Sequence, residues 1–140
     1  LLAACASAPP SPLPAALAAV DLRGTWEGRW GDTPLTLVVL EQADAAEGAG
    51  LYAGPVQILG WRRPQLTAVL TSSVAGHARS TEARGTLSAA GDRLAVWLVA
   101  PLPPGEQRLR LTLVDDDRLV GTGESSVPWG PTGDVTLHRR

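Results

Sequence analysis

One cysteine, Cys5, stands among 140 residues, and phenylalanine, methionine, lysine and asparagine are missing altogether. A single cysteine cannot close an internal disulfide, and it offers no thiolate cluster for zinc or an iron–sulfur centre. No run of about 18 apolar residues occurs, the length that a membrane-crossing helix requires. Positive charge is not in excess: 12 basic residues, all arginine, face 14 acidic ones, for a net charge of −2. That balance does not mark a nucleic-acid binder. The sequence has no Gly-x-Ser-x-Gly and no phosphate loop. His77 and His138 have no companion ligands nearby, so neither a zinc site nor any cofactor is expected. The run Asp115-Asp116-Asp117 reads as a solvated turn, because adjacent carboxylates splay apart where calcium needs a wrapping loop.

What is present is a globular, turn-rich composition. Hydrophobic residues make up 44% and charged residues 19%, too apolar a balance for a disordered chain. Glycine (15) and proline (12) are abundant, as a protein of many turns requires. The length fits one domain with its own core.

From residue 21 the rhythm has a period of two. In DLRGTWEGRW, Leu22, Gly24, Trp26, Gly28 and Trp30 alternate with Asp21, Arg23, Thr25, Glu27 and Arg29. This cannot line one face of a helix; it suits a strand with one dry side. LTLVVLE (35–41) follows the Gly31-Asp32-Thr33-Pro34 punctuation as a second strand. ARGTLSAAGDRLAVWLVA (83–100) turns at 90–92, with Leu94, Val96 and Leu98 alternating against Ala95, Trp97 and Val99. Its second run is apolar on both faces, which predicts a covered strand. QRLRLTLVDDDRLVGTGES (107–125) turns at the aspartates, with Leu109, Leu111 and Leu113 inward. DVTLHR (134–139) is a last strand, and between 47 and 73 strands are expected around LYAG, VQILGW and QLTAVLTS. Eight to ten sequential strands predict an all-β domain over 21–140. Its architecture is an antiparallel up-and-down β-barrel of about eight strands, which leaves no exposed sheet edge. A β-sandwich is the alternative.

The first residues carry an address. Leu2-Ala3-Ala4-Cys5 resembles the lipobox of bacterial lipoproteins, in which small residues precede a cysteine that becomes the acylated N-terminus. The resemblance implies lipidation at Cys5, removal of a signal peptide, and residence in the bacterial cell envelope with the membrane as partner. Ala6 is not the aspartate that in many such lipoproteins retains them in the inner membrane, so the outer membrane is expected. Residues 6–20 are uncharged and rich in alanine and proline. The prolines disfavour a helix through the first half, and 1–20 therefore reads as a tether.

Gly24-Thr25-Trp26 at the start of the first strand resembles the Gly-x-Trp of lipocalins and related barrels, the calycins, and GTWEGRW is similar to the opening of streptavidin-like barrels. In calycins an arginine at the end of the last strand packs across that tryptophan; the resemblance implies a barrel-closing pair of Trp26 and Arg139. Arg139 shares the parity of Val135 and Leu137, which points it to the same side.

Five of the six aromatic residues are tryptophans: Trp26, Trp30, Trp61, Trp97 and Trp129. Two readings without catalysis follow. In the first, the barrel mouth binds a small apolar or amphipathic ligand, lined by Trp30 and Trp97. In the second, the protein is accessory or inhibitory, touching a larger envelope complex or an exported enzyme through its surface or the 125–134 loop. There Trp129 is either tucked over the barrel end or offered to a partner. Trp61-Arg62-Arg63 reads as a solvated strand end. An open apolar cavity of roughly 300 Å³ or more would support the first reading; a filled interior with Trp129 exposed would support the second. A small barrel with few inward polar groups gives little scope for tuned acid–base chemistry, so no enzyme is expected.

Overall fold

Alternation over the described residues, 13–43 and 66–140, becomes eight strands in the computed structural model. They are β1 (Gly24–Trp30), β2 (Thr33–Gln42), β3 (Leu66–Val74), β4 (His77–Ala90), β5 (Arg93–Leu102), β6 (Gly105–Asp115), β7 (Arg118–Ser125) and β8 (Gly133–Arg139). Each pairs antiparallel with the next, and β1 pairs with β8, with Trp26 opposite Arg139 and Trp30 opposite Val135. The sheet is a closed up-and-down barrel rather than two open layers. Of the strands expected between 47 and 73, QLTAVLTS falls on β3; LYAG and VQILGW lie outside the described residues, as do Cys5 and Trp61-Arg62-Arg63.

The apolar parity of every strand points inward. Leu35, Leu37 and Val39 of β2, Leu66, Ala68 and Leu70 of β3, Leu94, Val96 and Leu98 of β5, Leu109 and Leu111 of β6, and Val135 and Leu137 of β8 form one buried cluster around Trp26 and Trp30. Burying a leucine of this kind contributes roughly 1.5–3 kcal/mol, and that sum holds a barrel without any disulfide.

Two boundaries differ from expectation. The leader does not hang free up to residue 20: a single helical turn, α1 (Ala15–Ala18), carries Leu17, which with Leu13 and Val20 packs against the core. The Gln42 side chain fastens it, donating to the Val20 carbonyl at 2.6 Å and accepting from the Leu22 amide at 2.7 Å. β4 also begins at His77 rather than 83. The segment HARSTEA carries no alternating apolar residues because its first half is exposed, and its hairpin turns on Ala75 and Gly76, both at positive φ. Gly76 is a turn residue but Ala75 is not, so this hairpin is only half marked in the sequence.

The barrel therefore has two unlike ends. One receives the leader, the 91–92 and 116–117 turns and the end of β8. The other carries the 31–32, 75–76 and 103–104 turns and the longer 126–132 connection.

Candidate functional site

At the leader end the arginine that ends β8 closes the barrel. Arg139 lies with its Cζ 4.4 Å from the centre of the Trp26 ring. Its Nη2 donates to the Asp21 carbonyl at 2.9 Å and its Nη1 to the Arg23 carbonyl at 3.2 Å, while longer bonds reach Asp116. Trp26 is fully buried, and its Nε1 donates to the Leu22 carbonyl at 2.9 Å. One cation thus joins β8, the leader and the β6–β7 turn over an aromatic face. Nearby, Arg23 holds the Asp21 carboxyl at about 2: its guanidinium hydrogen bond is the larger cause and its backbone N–H the next.

Deeper in, the described interior is packed. Trp26, Trp30 and eleven leucines are each less than 2% exposed. The Trp30 ring lies against the backbone of β7: a Cβ added at Gly123 would meet its Cε2 at 2.7 Å. Its Nε1 is buried and has no hydrogen-bond partner among the described residues. The polar groups of this interior form their own chain, in which Gln107 Nε2 donates to Ser72 Oγ at 3.0 Å and Ser125 Oγ donates to the Pro131 carbonyl at 2.7 Å. A depression of about 270 Å³ is external, between Glu106, Arg108, Glu124, Ser125 and Ser126.

Trp97 corrects the expectation that it lines the mouth beside Trp30. Leu94, Val96, Leu98, Ala100 and Leu102 take the inner row of β5, so the two-residue period sends Trp97 outward. It is 46% exposed there, with Arg110 of β6 held 5.0 Å from its ring centre. The outer face of β5 is accordingly not the covered surface its composition predicts.

Trp129 occupies the far end. It is 82% exposed and sits at φ +58 in the 126–132 connection. The apolar cover over that end is instead Val127, buried with Val74 and Leu102. The loop beneath the tryptophan is pinned on several sides. Ala75 donates to the Trp129 carbonyl, Gly130 to the Val127 carbonyl and Ser126 to the Glu106 carbonyl, at 3.3, 3.2 and 2.9 Å.

Compared with protein-family models, curated proteins and solved structures, the chain matches none.

The geometry separates the tryptophans by what they can do. Trp26 and Trp30 hold the barrel together from inside, whereas Trp97 and Trp129 present indole surface to solvent. The aspartate run is engaged locally, with Asp115 Oδ1 accepting from the Asp117 amide at 2.9 Å and Asp115 pairing with Arg118 at 3.6 Å. Sequence reasoning missed the clamp made by Gln42 and the end of the β4–β5 ladder at Arg84 opposite Val99. The latter had one readable signal, Pro101 inside a strand.

Proposed function

We propose that this chain is a non-enzymatic bacterial envelope lipoprotein that acts as a contact module, docking on a larger envelope complex or exported enzyme through Trp129. The observation that carries the reading is the exposure of an indole on a loop whose backbone is already tied down. Left-handed φ at a non-glycine residue costs on the order of 1 kcal/mol, and the native hydrogen bonds around it hold that conformation before any partner arrives. Rigid aromatic anchors of this kind supply much of the binding energy at protein interfaces. The small-ligand reading has less support: Trp30 is sealed in the core and Trp97 stands outside it.

The lipobox resemblance of residues 2–5 supports anchoring through Cys5 and an outer-membrane location. The calycin-like kinship is supported by the Gly24-Thr25-Trp26 start together with Arg139 across Trp26. The polarity of the barrel agrees with such an anchor. The leader enters at the Arg139 end and Trp129 lies at the opposite one, so a tether from Cys5 would leave the tryptophan directed away from the bilayer. Mature protein taken from host membranes is expected to carry its acyl mass on Cys5. A free thiol there would withdraw both the anchor and the location.

For the contact itself, a photo-crosslinking residue in place of Trp129 in the native host is expected to give one discrete protein adduct. Against the partner so identified, Trp129→Ala should weaken binding by about 30-fold, the equivalent of roughly 2 kcal/mol, with the unfolding midpoint unchanged. Absence of an adduct, or full affinity in Trp129→Ala, would remove the reading.

A further inference from the structure

Leu40, Trp97 and Trp129 are the exposed large apolar side chains among the described residues. Of the two indoles, only Trp97 has a cation over its ring. The ladders fix what surrounds it. Trp97 lies opposite Thr86 of β4 and Arg110 of β6, and Arg110 lies opposite Thr122 of β7. Residues directly opposite share a face, so these four form one row across the outer wall. With strands about 4.8 Å apart, the row runs roughly 14 Å. Thr86, Arg110 and Thr122 are all exposed. Toward the far end the next row is Arg84, Val99, Arg108 and Glu124; toward the leader end it is Ser88, Ala95, Thr112 and Val120.

Charge is spread unevenly over this wall. Arg84 is engaged by Glu82 at 3.1 Å and Arg108 by Glu106 at 2.7 Å. Arg110 pairs with no carboxylate among the described residues. Its guanidinium carbon lies 5.0 Å from the centre of the Trp97 ring instead. One uncommitted cation therefore sits beside one open indole, with a hydroxyl on either flank.

We infer that the row of Thr86, Trp97, Arg110 and Thr122 binds a saccharide chain carrying a uronic-acid carboxylate. The indole would pack on the C–H face of a pyranose ring, and Arg110 would hold the carboxylate by charge-assisted hydrogen bonds. The two threonine hydroxyls would meet sugar hydroxyls, as donors or acceptors. Other occupants fit less well. The depression beside Glu106 and Arg108 does not include Trp97, so a small free molecule finds no enclosure at the indole. An extended peptide finds no free main-chain groups, because β5 and β6 are paired on both sides along this row. A polyanion such as a nucleic acid would run against Glu82, Glu106 and Glu124, whereas a single carboxylate on Arg110 meets none of them. The row shares no residue with the 126–132 connection, so it stands independently of the Trp129 reading.

The test titrates the full chain with two uronate chains, tetragalacturonate and a hyaluronan hexasaccharide. The comparisons are the methyl ester of tetragalacturonate, tetraglutamate and a single-stranded oligonucleotide. Calorimetry gives the affinities, and backbone and indole N–H shifts give the location. A uronate chain is expected to move the Trp97 indole N–H together with the amides of Thr86, Arg110 and Thr122. The methyl ester should bind about tenfold more weakly than the acid, because the charge-assisted bonds to Arg110 are gone. Trp97→Ala should weaken uronate binding by about tenfold or more, and Arg110→Gln should bring acid and ester to equal affinity. Trp129→Ala should change neither, which keeps this result separate from the contact proposed there. The shift map on the unaltered chain decides the location even if a variant is poorly folded. Failure of both uronate chains to bind, shifts that leave this row unmoved, tetraglutamate or the oligonucleotide binding as tightly, or full affinity in Trp97→Ala would each overturn the inference.

Discussion

Gly121→Ala is expected to destabilise the barrel by more than about 3 kcal/mol, at the far end of what one added methyl group costs. The Cβ would lie 1.8 Å from the Arg110 carbonyl oxygen and 2.9 Å from the Leu111 Cα, both backbone atoms of β6. A flexible side chain could yield; two paired strands cannot without opening the ladder between Gly121 and Leu111. The position belongs to an inward row, Leu119, Gly121, Gly123 and Ser125, whose small residues bring β7 close to the interior and leave room for the Trp30 ring. Urea unfolding should show a lower midpoint with the slope retained. Gly91→Ala is the comparison: nothing lies within 4 Å of its added Cβ, but its φ is +65, so the cost there is conformational and about 1 kcal/mol. If Gly121→Ala proves no worse than Gly91→Ala, the close approach of β6 and β7 is not as described.

Trp26→Ala is the second large effect, at about 3–5 kcal/mol for a buried aromatic. Three losses act together. The side chain fills the leader end of the core, its Nε1 satisfies the Leu22 carbonyl, and its face supports Arg139. Arg139→Gln should cost less, because the guanidinium is partly solvated. The informative quantity is their coupling. A double-mutant cycle of Trp26→Ala with Arg139→Gln is expected to return about 1–2 kcal/mol of interaction, little changed by salt because the contact is to a ring rather than to a carboxylate. Coupling near zero would mean that the arginine works through its bonds to the Asp21, Arg23 and Asp116 carbonyls and its 3.8 Å ion pair with Asp117.

Much of this architecture is legible in the residues. The alternation of Trp26 and Trp30 with Thr25 and Arg29 gave β1, the 90–92 and aspartate turns gave two hairpins, and the shared parity of Val135, Leu137 and Arg139 placed the arginine on the side of Trp26. Trp97 shows the opposite lesson. The leucines and valine around it already sent it outward, yet its size argued for a mouth-lining role; parity is the stronger constraint because the pleat allows no exception without a bulge. Trp129 could not be resolved between cover and display, since a loop has no period to read. The β3–β4 hairpin was half hidden by an alanine in the left-handed region and by a polar strand end.

Alone, the order of residues determined which side of each strand is dry and that eight such strands follow one another with tight turns, because side-chain direction is a local, two-residue property of extended backbone. Only the tertiary structure decided that Val127 rather than Trp129 caps the far end, that Gln42 and the core capture the leader, and that the Thr81 hydroxyl reaches the Pro101 carbonyl where the β4–β5 ladder ends. Each of those outcomes depends on which distant backbone atoms arrive beside a given residue, and closing the barrel is what sets that company.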